Sequence, residues 1–371
     1  MILYLTYNDQ PSGVYWSQVT DVVEHLNGLG HGRVRLLALV SLHGWRGSRR
    51  RIKAHSRDAI VLPMVPRMRN WRLNRWLLWV VCLLLRPKAI MARGVMATWM
   101  ALRMRDSGLV KRVMFDGRGA YAAEWEEYRI IDDDDLIAQF RPLEQEAVSE
   151  ADLRLAVSEA LVAHWRERYG YRGDAHVVIP CTLGTEGTGR NASVPPRDGR
   201  VRLVYSGSSA GWQGFSLLEE LLVPLLEGDV RVDVLFLARR DKHVQALMDR
   251  FPGRVAQAWL EPAEVGPVLA IQDLGILLRE STITNKVSSP TKFAEYLAAG
   301  LPVIISSGIG DFSEAVRAHG LGVVYEPGQP LAELRSTTTE ERDHVRNFAR
   351  THYTKAAHRI AYGRVLGSLL S

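Results

Sequence analysis

The sequence predicts an α/β chain built as two successive doubly wound, Rossmann-like domains facing across a cleft. Three observations carry that expectation. Short apolar runs alternate with helical patterns along almost the whole chain, the signature of parallel βαβ units. The runs are continuous rather than alternating, as a sheet covered on both faces requires. One stretch, "CTLGTEGTGRNASVPPRDGR" from Cys181 to Arg200, breaks the rhythm with Gly, Ser, Thr, Asn and Pro; it reads as a linker.

In the first half the strands are "ILYLTY", "VRLLALV", "AIVLP", "AIMAR", "RVMFDGR" and "DLRLAVS". A helical pattern from Val14 to Leu29 follows the first strand and stops at Gly30, as a C-cap would. After the linker, "VRLVYSG", "VRVDVLFLA", "VAQAW", "LGILL" and "PVIIS" are strands, and "YTKAAHRIAYGRVLGSLL" is a terminal helix. The expected boundaries are residues 1–182, a linker at 183–193, a second domain at 194–350 and a final segment at 351–371. Ligands of such sheets sit beyond the carboxyl ends of the strands, so the cleft is the natural site.

Composition narrows the function classes. Cys82 and Cys181 have no ligand-type or framework spacing, so neither a zinc site nor a disulfide scaffold is expected. The start, "MILYLTYNDQ", reads as a strand rather than a signal peptide. The apolar run Trp76–Leu85 has ten residues, against the roughly 20 that span a bilayer. A cytoplasmic protein is expected, peripheral at most on the inner membrane face. Between Arg33 and Arg75 there are twelve Lys or Arg and one acid, Asp58, which implies an anionic partner or surface. No nucleic-acid-reading motif accompanies them. Anionic lipid suits the block better, through Arg69, Arg72 and Arg75 on headgroups with Trp76 and Trp79 at the interface. The same stretch also reads as an internal helix of an α/β domain.

The most informative segment is "SSPTKFAEYLAAGLPVIIS", Ser288 to Ser306. Pro290 suits the first turn of a helix, with Ser289 as its expected N-cap and Gly300 as its stop. A helix start offers free N–H groups and about half a positive charge, which suits a phosphate. From one to two turns further in, Glu295 can accept two ribose hydroxyls. A nucleoside diphosphate has that geometry.

"SPTKFAEYLAAGLPVI" resembles the donor-binding segment of retaining glycosyltransferases of family 4, which have the GT-B fold. Weaker likenesses run over most of the chain: Ser12-Gly13 and the helix ending "LNGLGH", then "RLVYSGS" and "VLAIQDLGILL". The resemblance implies sugar transfer from a UDP- or GDP-sugar with retention, without metal or cofactor. It implies a glycan acceptor, lipid-linked, in surface polysaccharide synthesis. It also implies that the last helix returns to the first domain. Glu295 matches the family's second motif glutamate, and Ser289, Pro290, Thr291 and Lys292 match the turn that meets the diphosphate. The first motif glutamate is replaced by Val287, and the usual basic pair by Ser208 and Gln213.

A departing diphosphate still needs positive charge. Arg279, after "DLGILL", is the expected replacement, with Lys292 assisting, Lys286 a further cation nearby, and Glu280 covering part of the missing glutamate's role. On the acceptor side, Arg93 closes "AIMAR", and Asp116 and Arg118 follow "RVMF". Asp116 is the expected partner of the acceptor hydroxyl, although Asp116 and Arg118 can equally pair across a turn. Gly13 lets the first loop approach donor phosphates.

Asp132–Asp135 invites a metal reading, but acids also favour the start of the helix that follows. His25, His31 and His43 lack partners at ligand spacing. A non-catalytic nucleotide-binding partner of a glycan assembly complex is the alternative. A third reading, a nicotinamide dehydrogenase on doubly wound domains, ranks last because no Gly-x-Gly-x-x-Gly follows a strand.

Overall fold

Thirteen strands form two all-parallel sheets in the computed structural model, which describes residues 1–184, 199–207, 214–329, 331 and 334–371. The first unit comprises Met1–Gly184 and Lys355–Ser371; the second is Thr185–Thr354.

In the first unit the strands are β1 (Ile2–Tyr7), β2 (Val34–Val40), β3 (Ile60–Pro63), β4 (Ala89–Arg93), β5 (Arg112–Gly117), β6 (Leu153–Ala156) and β7 (His176–Val178). Their order is β3-β2-β1-β4-β5-β6-β7. The central strands are buried throughout because their side chains meet helices on both faces. The chain steps outward from β1 to β3, then crosses back to β4. Right-handed crossovers therefore put the Trp45–His55 helix and the Asn74–Leu85 helix on opposite faces. Packing agrees with this placement. Ile52 joins the core of Val22, Leu26, Tyr362 and Leu366, whereas Trp71, just before the Asn74–Leu85 helix, lies edge-on to Trp99 at 5.0 Å.

The terminal helix runs Arg359–Leu370 and buries Tyr362, Val365, Leu366 and Leu369 in the first unit. Each such side chain contributes about 1.5–3 kcal/mol. It is shorter than the sequence pattern suggests. Tyr353 closes against Phe293 and Phe312 of the second unit, while Lys355 is buried in the first and donates to the Leu183 carbonyl at 2.7 Å. The residues between belong to a crossing, not to a helix.

The second unit holds β8 (Val201–Ser206), β9 (Val232–Leu237), β10 (Val255–Ala258), β11 (Leu274–Leu277), β12 (Val303–Ser306) and β13 (Gly322–Tyr325), ordered β10-β9-β8-β11-β12-β13. Val201, Leu203, Phe236, Ile276 and Ile304 form its core with Leu218 and Leu222.

Among the described residues no helix is long and apolar enough to cross a membrane. The Asn74–Leu85 helix buries Asn74, Leu78, Val81 and Cys82 and exposes Trp76, Trp79, Val80, Leu83 and Leu84. The arginines expected to face lipid are partly engaged within the protein. Arg69 pairs with Asp133 at 2.8 Å, Arg72 lies over Trp71 and Trp99, and Arg75 lies over Trp76 at 4.9 Å.

Candidate functional site

Each sheet reverses its strand order once, between β1 and β4 in the first unit and between β8 and β11 in the second. Crevices beyond the carboxyl ends of strands at such reversals are where doubly wound sheets hold ligands. Arg93, Asp116 and Arg118 lie at the first of these edges, and Arg279 and the Ser289–Lys292 turn at the second.

In the second unit, Arg279 follows β11. Its backbone N–H donates to Ser306 Oγ at 2.7 Å, and Ser306 Oγ donates back to the Arg279 carbonyl at 2.9 Å. Its guanidinium reaches Asn285 Oδ1 at 3.3 Å and Ser288 Oγ at 3.4 Å. Asn285 is fully buried and ties the turn together, donating to the Glu280 carbonyl at 3.0 Å. The Glu280 side chain is exposed beside it, and Gly214 lies against the backbone of both Arg279 and Glu280. Lys286 is exposed at the end of the short Ile283–Lys286 helix. Ser208 and Gln213 lie outside the described residues.

The helix Thr291–Ala299 begins at this edge. Its N-cap is Pro290, with no side-chain cap, rather than the expected Ser289, which is buried one residue earlier. Proline's fixed φ of −65° with ψ 122° already turns the chain into the helix, so the start falls one residue later. The first-turn N–H groups of Thr291 and Lys292 have no helical carbonyl four residues back. Gly300 ends the helix in the left-handed conformation, as expected.

Two glycines fix the helix start. Tyr296 donates to the Ile276 carbonyl at 3.3 Å and accepts from the Ser206 N–H at 2.7 Å, clamping the helix onto β8 and β11. A side chain at Gly275 would lie 2.5 Å from the Tyr296 ring. Gly310, at φ 46°, lies against the Ser288 carbonyl oxygen, and any side chain there would displace the Ser288–Pro290 turn.

Glu295 is 37% exposed and bonded to Lys292 Nζ at 2.9 Å. The two residues expected to meet ribose and phosphate thus neutralise each other here. A half-exposed pair one turn apart is worth only about 0.2–0.5 kcal/mol. A ligand can therefore separate it at small cost. Val287 is buried and apolar, so no carboxylate occupies the first motif position.

At the first unit's edge, Asp116 ends up at the centre of a charge cluster. It is 0% exposed. Tyr4 donates its hydroxyl to Asp116 Oδ2, Arg118 Nε lies 2.7 Å from Oδ1, and Arg93 lies 3.8 Å from Oδ2. The expectation that Asp116 meets the acceptor hydroxyl is corrected. A fully enclosed carboxylate holding two guanidiniums orders them and does not reach a substrate. The turn pairing with Arg118 is what forms. Burial opposes the charge on Arg93, but Asp9, Tyr4 and Asp116 more than offset it and hold its pKa above the usual range. Burial likewise opposes the charge on Arg118, but Asp116, Tyr4, Cys181 and Tyr362 together hold its pKa well above the usual range. Burial, then Asp116, pushes the Tyr4 hydroxyl up.

Asp9, which sequence reasoning passed over, lies 3.7 Å from Arg93 Nε. The signal was available: it stands two residues past the end of β1, where edge residues gather. Tyr4 and Asn285 were also missed, being indistinguishable in sequence from core residues. Gly13, at φ 25°, opens the turn before the first helix, where the Trp16 N–H donates to its carbonyl at 3.1 Å.

The acidic run serves structure. Asp133 caps the Asp134–Glu150 helix by accepting from the Leu136 N–H at 3.2 Å, and Arg129 pairs with Asp132 and Asp134. Among the described residues, no group of three or more His, Cys, Asp or Glu is placed to hold a metal.

No family model and no curated protein sequence matches the chain. Solved structures do. Sucrose-phosphate synthase from Thermosynechococcus elongatus is 13% identical, covering 100% of this chain and 98% of its own, with a TM-score of 0.71. A glycosyltransferase from Rickettsia africae gives the same identity, coverage and TM-score. The lipopolysaccharide outer core galactosyltransferase WaaB is 14% identical over 100% of this chain and 95% of its own, with a TM-score of 0.59. At such identities the likeness speaks to the fold, and over its full length this chain has the GT-B fold.

Proposed function

We propose that the chain is a retaining, metal-independent glycosyltransferase. It takes a sugar from a UDP- or GDP-sugar and passes it to a glycan carried on a lipid, in the building of surface polysaccharide. The observation that carries this reading is the start of the Thr291–Ala299 helix at the switch-point edge of the second sheet, with Arg279, Lys292 and Glu295 around it. Structural neighbours support the donor class: their names include two sugar transferases, a complex with UDP and a complex with UDP-2-fluoro glucose.

In this reading the diphosphate lies at the helix start, against the N–H groups of Thr291 and Lys292 and the Ser289–Pro290 turn. The bond from the anomeric carbon to the diphosphate breaks, and the leaving oxygen takes the electron pair. Arg279 stabilises that growing charge, and Lys292, released from Glu295, adds to it. Glu295 then accepts the ribose hydroxyls, and Glu280 approaches the sugar. Ser208 and Gln213 are assigned to the same donor site, and Gly13 to the loop near its phosphates. Arg93 and Arg118 belong to the acceptor side. The exposed Trp76, Val80 and Leu84 ridge supports a membrane-borne acceptor, with Trp79, Arg69, Arg72 and Arg75 at its border.

The test is release of UDP or GDP from sugar nucleotides, run in EDTA, with the anomeric configuration of the product read by NMR. Turnover in EDTA with retention is expected, and Arg279→Ala loses rate more than nucleotide affinity. Loss of activity in EDTA reopens Asp132–Asp135 as a metal site. Nucleotide binding without turnover on any acceptor returns the alternative, a non-catalytic partner in glycan assembly.

A further inference from the structure

We propose that the basic face of the Trp45–His55 helix holds a negatively charged glycan, so that the chain received by the first unit is an acidic saccharide. This rests on the glycosyltransfer reading and names the charge class of its acceptor.

The helix is built against its own electrostatics. It carries Arg46, Arg49, Arg50, Arg51 and Lys53, with Arg57 just past its end. Arg46, Arg49, Arg50 and Lys53 stand at i, i+3, i+4 and i+7 and so share one face, while Ile52 is buried in the core. The five arginines are exposed and Lys53 is half-buried. Like charges at these spacings repel. Cations in the first turn also oppose the helix dipole. The helix starts on Gly44 in the left-handed conformation, with no side-chain cap and no acid in its first turn. From Arg33 to Arg57 the sequence holds no acid, and Asp58, the next residue, is paired with Arg33. Among the described residues none of the six cations makes an ion pair. A local rule broken without compensation inside the fold marks a functional surface. The missing counter-charge is what a polyanion supplies.

Placement in the first unit selects the polyanion. β2 ends at Val40 and the helix begins at Trp45, so its basic start lies near the carboxyl ends of the strands. β2 pairs with β1, beside which the crevice of the first sheet opens. A polymer whose end occupies that crevice is led along the basic face. Lipid is served elsewhere, because the Trp76, Val80 and Leu84 ridge belongs to the helix on the opposite face of the sheet. A bilayer that takes the ridge leaves the basic helix in water. Single-stranded nucleic acid needs exposed aromatic platforms, and the tryptophans here are half-buried and engaged within the unit. Trp45 donates its Nε1 to the Val61 carbonyl at 3.3 Å, and Trp16 stacks on His55 at 4.0 Å.

The test titrates the full chain with polygalacturonate, which bears a carboxylate on each sugar, and with neutral dextran, phosphatidylglycerol vesicles and duplex DNA. Saturable binding of polygalacturonate is expected, without binding of dextran. It should weaken roughly tenfold or more between about 50 mM and about 200 mM salt. The combined variant Arg46→Glu, Arg49→Glu and Arg50→Glu should bind polygalacturonate about 100-fold more weakly. Its melting temperature should not fall, since it removes like-charge repulsion, and its UDP and GDP affinities should be unchanged. Arg46→Gln, Arg49→Gln and Arg50→Gln together should fall between the two. Vesicle binding by the charge-reversed variant should stay within about threefold of wild type, as the ridge carries it. No binding of polygalacturonate at low salt, or binding that survives charge reversal, overturns the proposal. So does tighter binding of DNA, or a loss of vesicle binding equal to the loss of polygalacturonate. Failure of the glycosyltransfer reading looks different: no UDP, GDP or sugar nucleotide binds, while polygalacturonate still binds the wild type and not the variant.

Discussion

The two switch-point edges solve the placing of charge in opposite ways. In the first unit, the enclosed Asp116 carboxylate is shared by Tyr4, Arg118 and Arg93, and Asp9 also pairs with Arg93. In the second, Arg279 is oriented by Asn285 and Ser288, and the positive field comes largely from a helix start. An enclosed network is rigid and unforgiving, because removing one partner strands the others without water. A helix start needs no counter-charge and stays open to an incoming anion.

The sharpest way to break that comparison is to delete the enclosed carboxylate. Asp116→Ala should cost about 3–5 kcal/mol in urea unfolding, since Arg93 and Arg118 then lose their buried partner. Arg279→Ala should cost well under half as much while removing turnover. Equal losses would show that both edges are built alike.

A second test uses pH. Glu144 is fully buried, accepts from the Ala122 N–H at 2.8 Å and from the Tyr169 hydroxyl at 3.1 Å, and its pKa is pushed by burial from 4.5 up to about 7. Its folded form therefore binds a proton more tightly than the unfolded chain. Its contribution is fully present below about pH 4.5 and is lost as pH rises through about 7. The loss is on the order of 3 kcal/mol. Glu144→Gln should flatten stability over that window, and an unchanged slope would place the titration elsewhere.

Smaller effects belong to the second edge. Gly310→Ala should displace the Ser288–Pro290 turn and cost about 1–3 kcal/mol in stability, with nucleotide affinity falling alongside. Lys292→Met should change stability by less than about 0.5 kcal/mol, because its pair with Glu295 is half-exposed. A larger cost would mean that this pair, like the Asp116 cluster, is part of the framework.

What the sequence made legible follows from burial. The eleven strands expected from continuous apolar runs all form, because central strands covered on both faces must be apolar throughout. β7 and β13 escaped notice: they are three and four residues long, at the sheet edges, and only partly buried. The helix after Ser288 was readable from its proline and its terminal glycine, with an error of one residue at the cap. Side-chain pairings were not readable. Nothing in the linear order of Tyr4, Asp9, Arg93 and Asp116 says that β1, β4 and β5 bring them together. Nor does the nearness in sequence of the basic block and the Trp76–Leu85 run reveal that a crossover sends the Trp45–His55 and Asn74–Leu85 helices to opposite faces.

The measurement that bears most directly on the central claim is a calorimetric titration of the chain and of Glu295→Ala with UDP, GDP and dTDP and their sugars. The account predicts saturable binding of at least one nucleotide by the wild type. It predicts a loss of about 1.5–3 kcal/mol in the variant, as for a charge-assisted hydrogen bond, with the fold intact. Binding that is unchanged by Glu295→Ala, or no binding of any nucleotide, would contradict it.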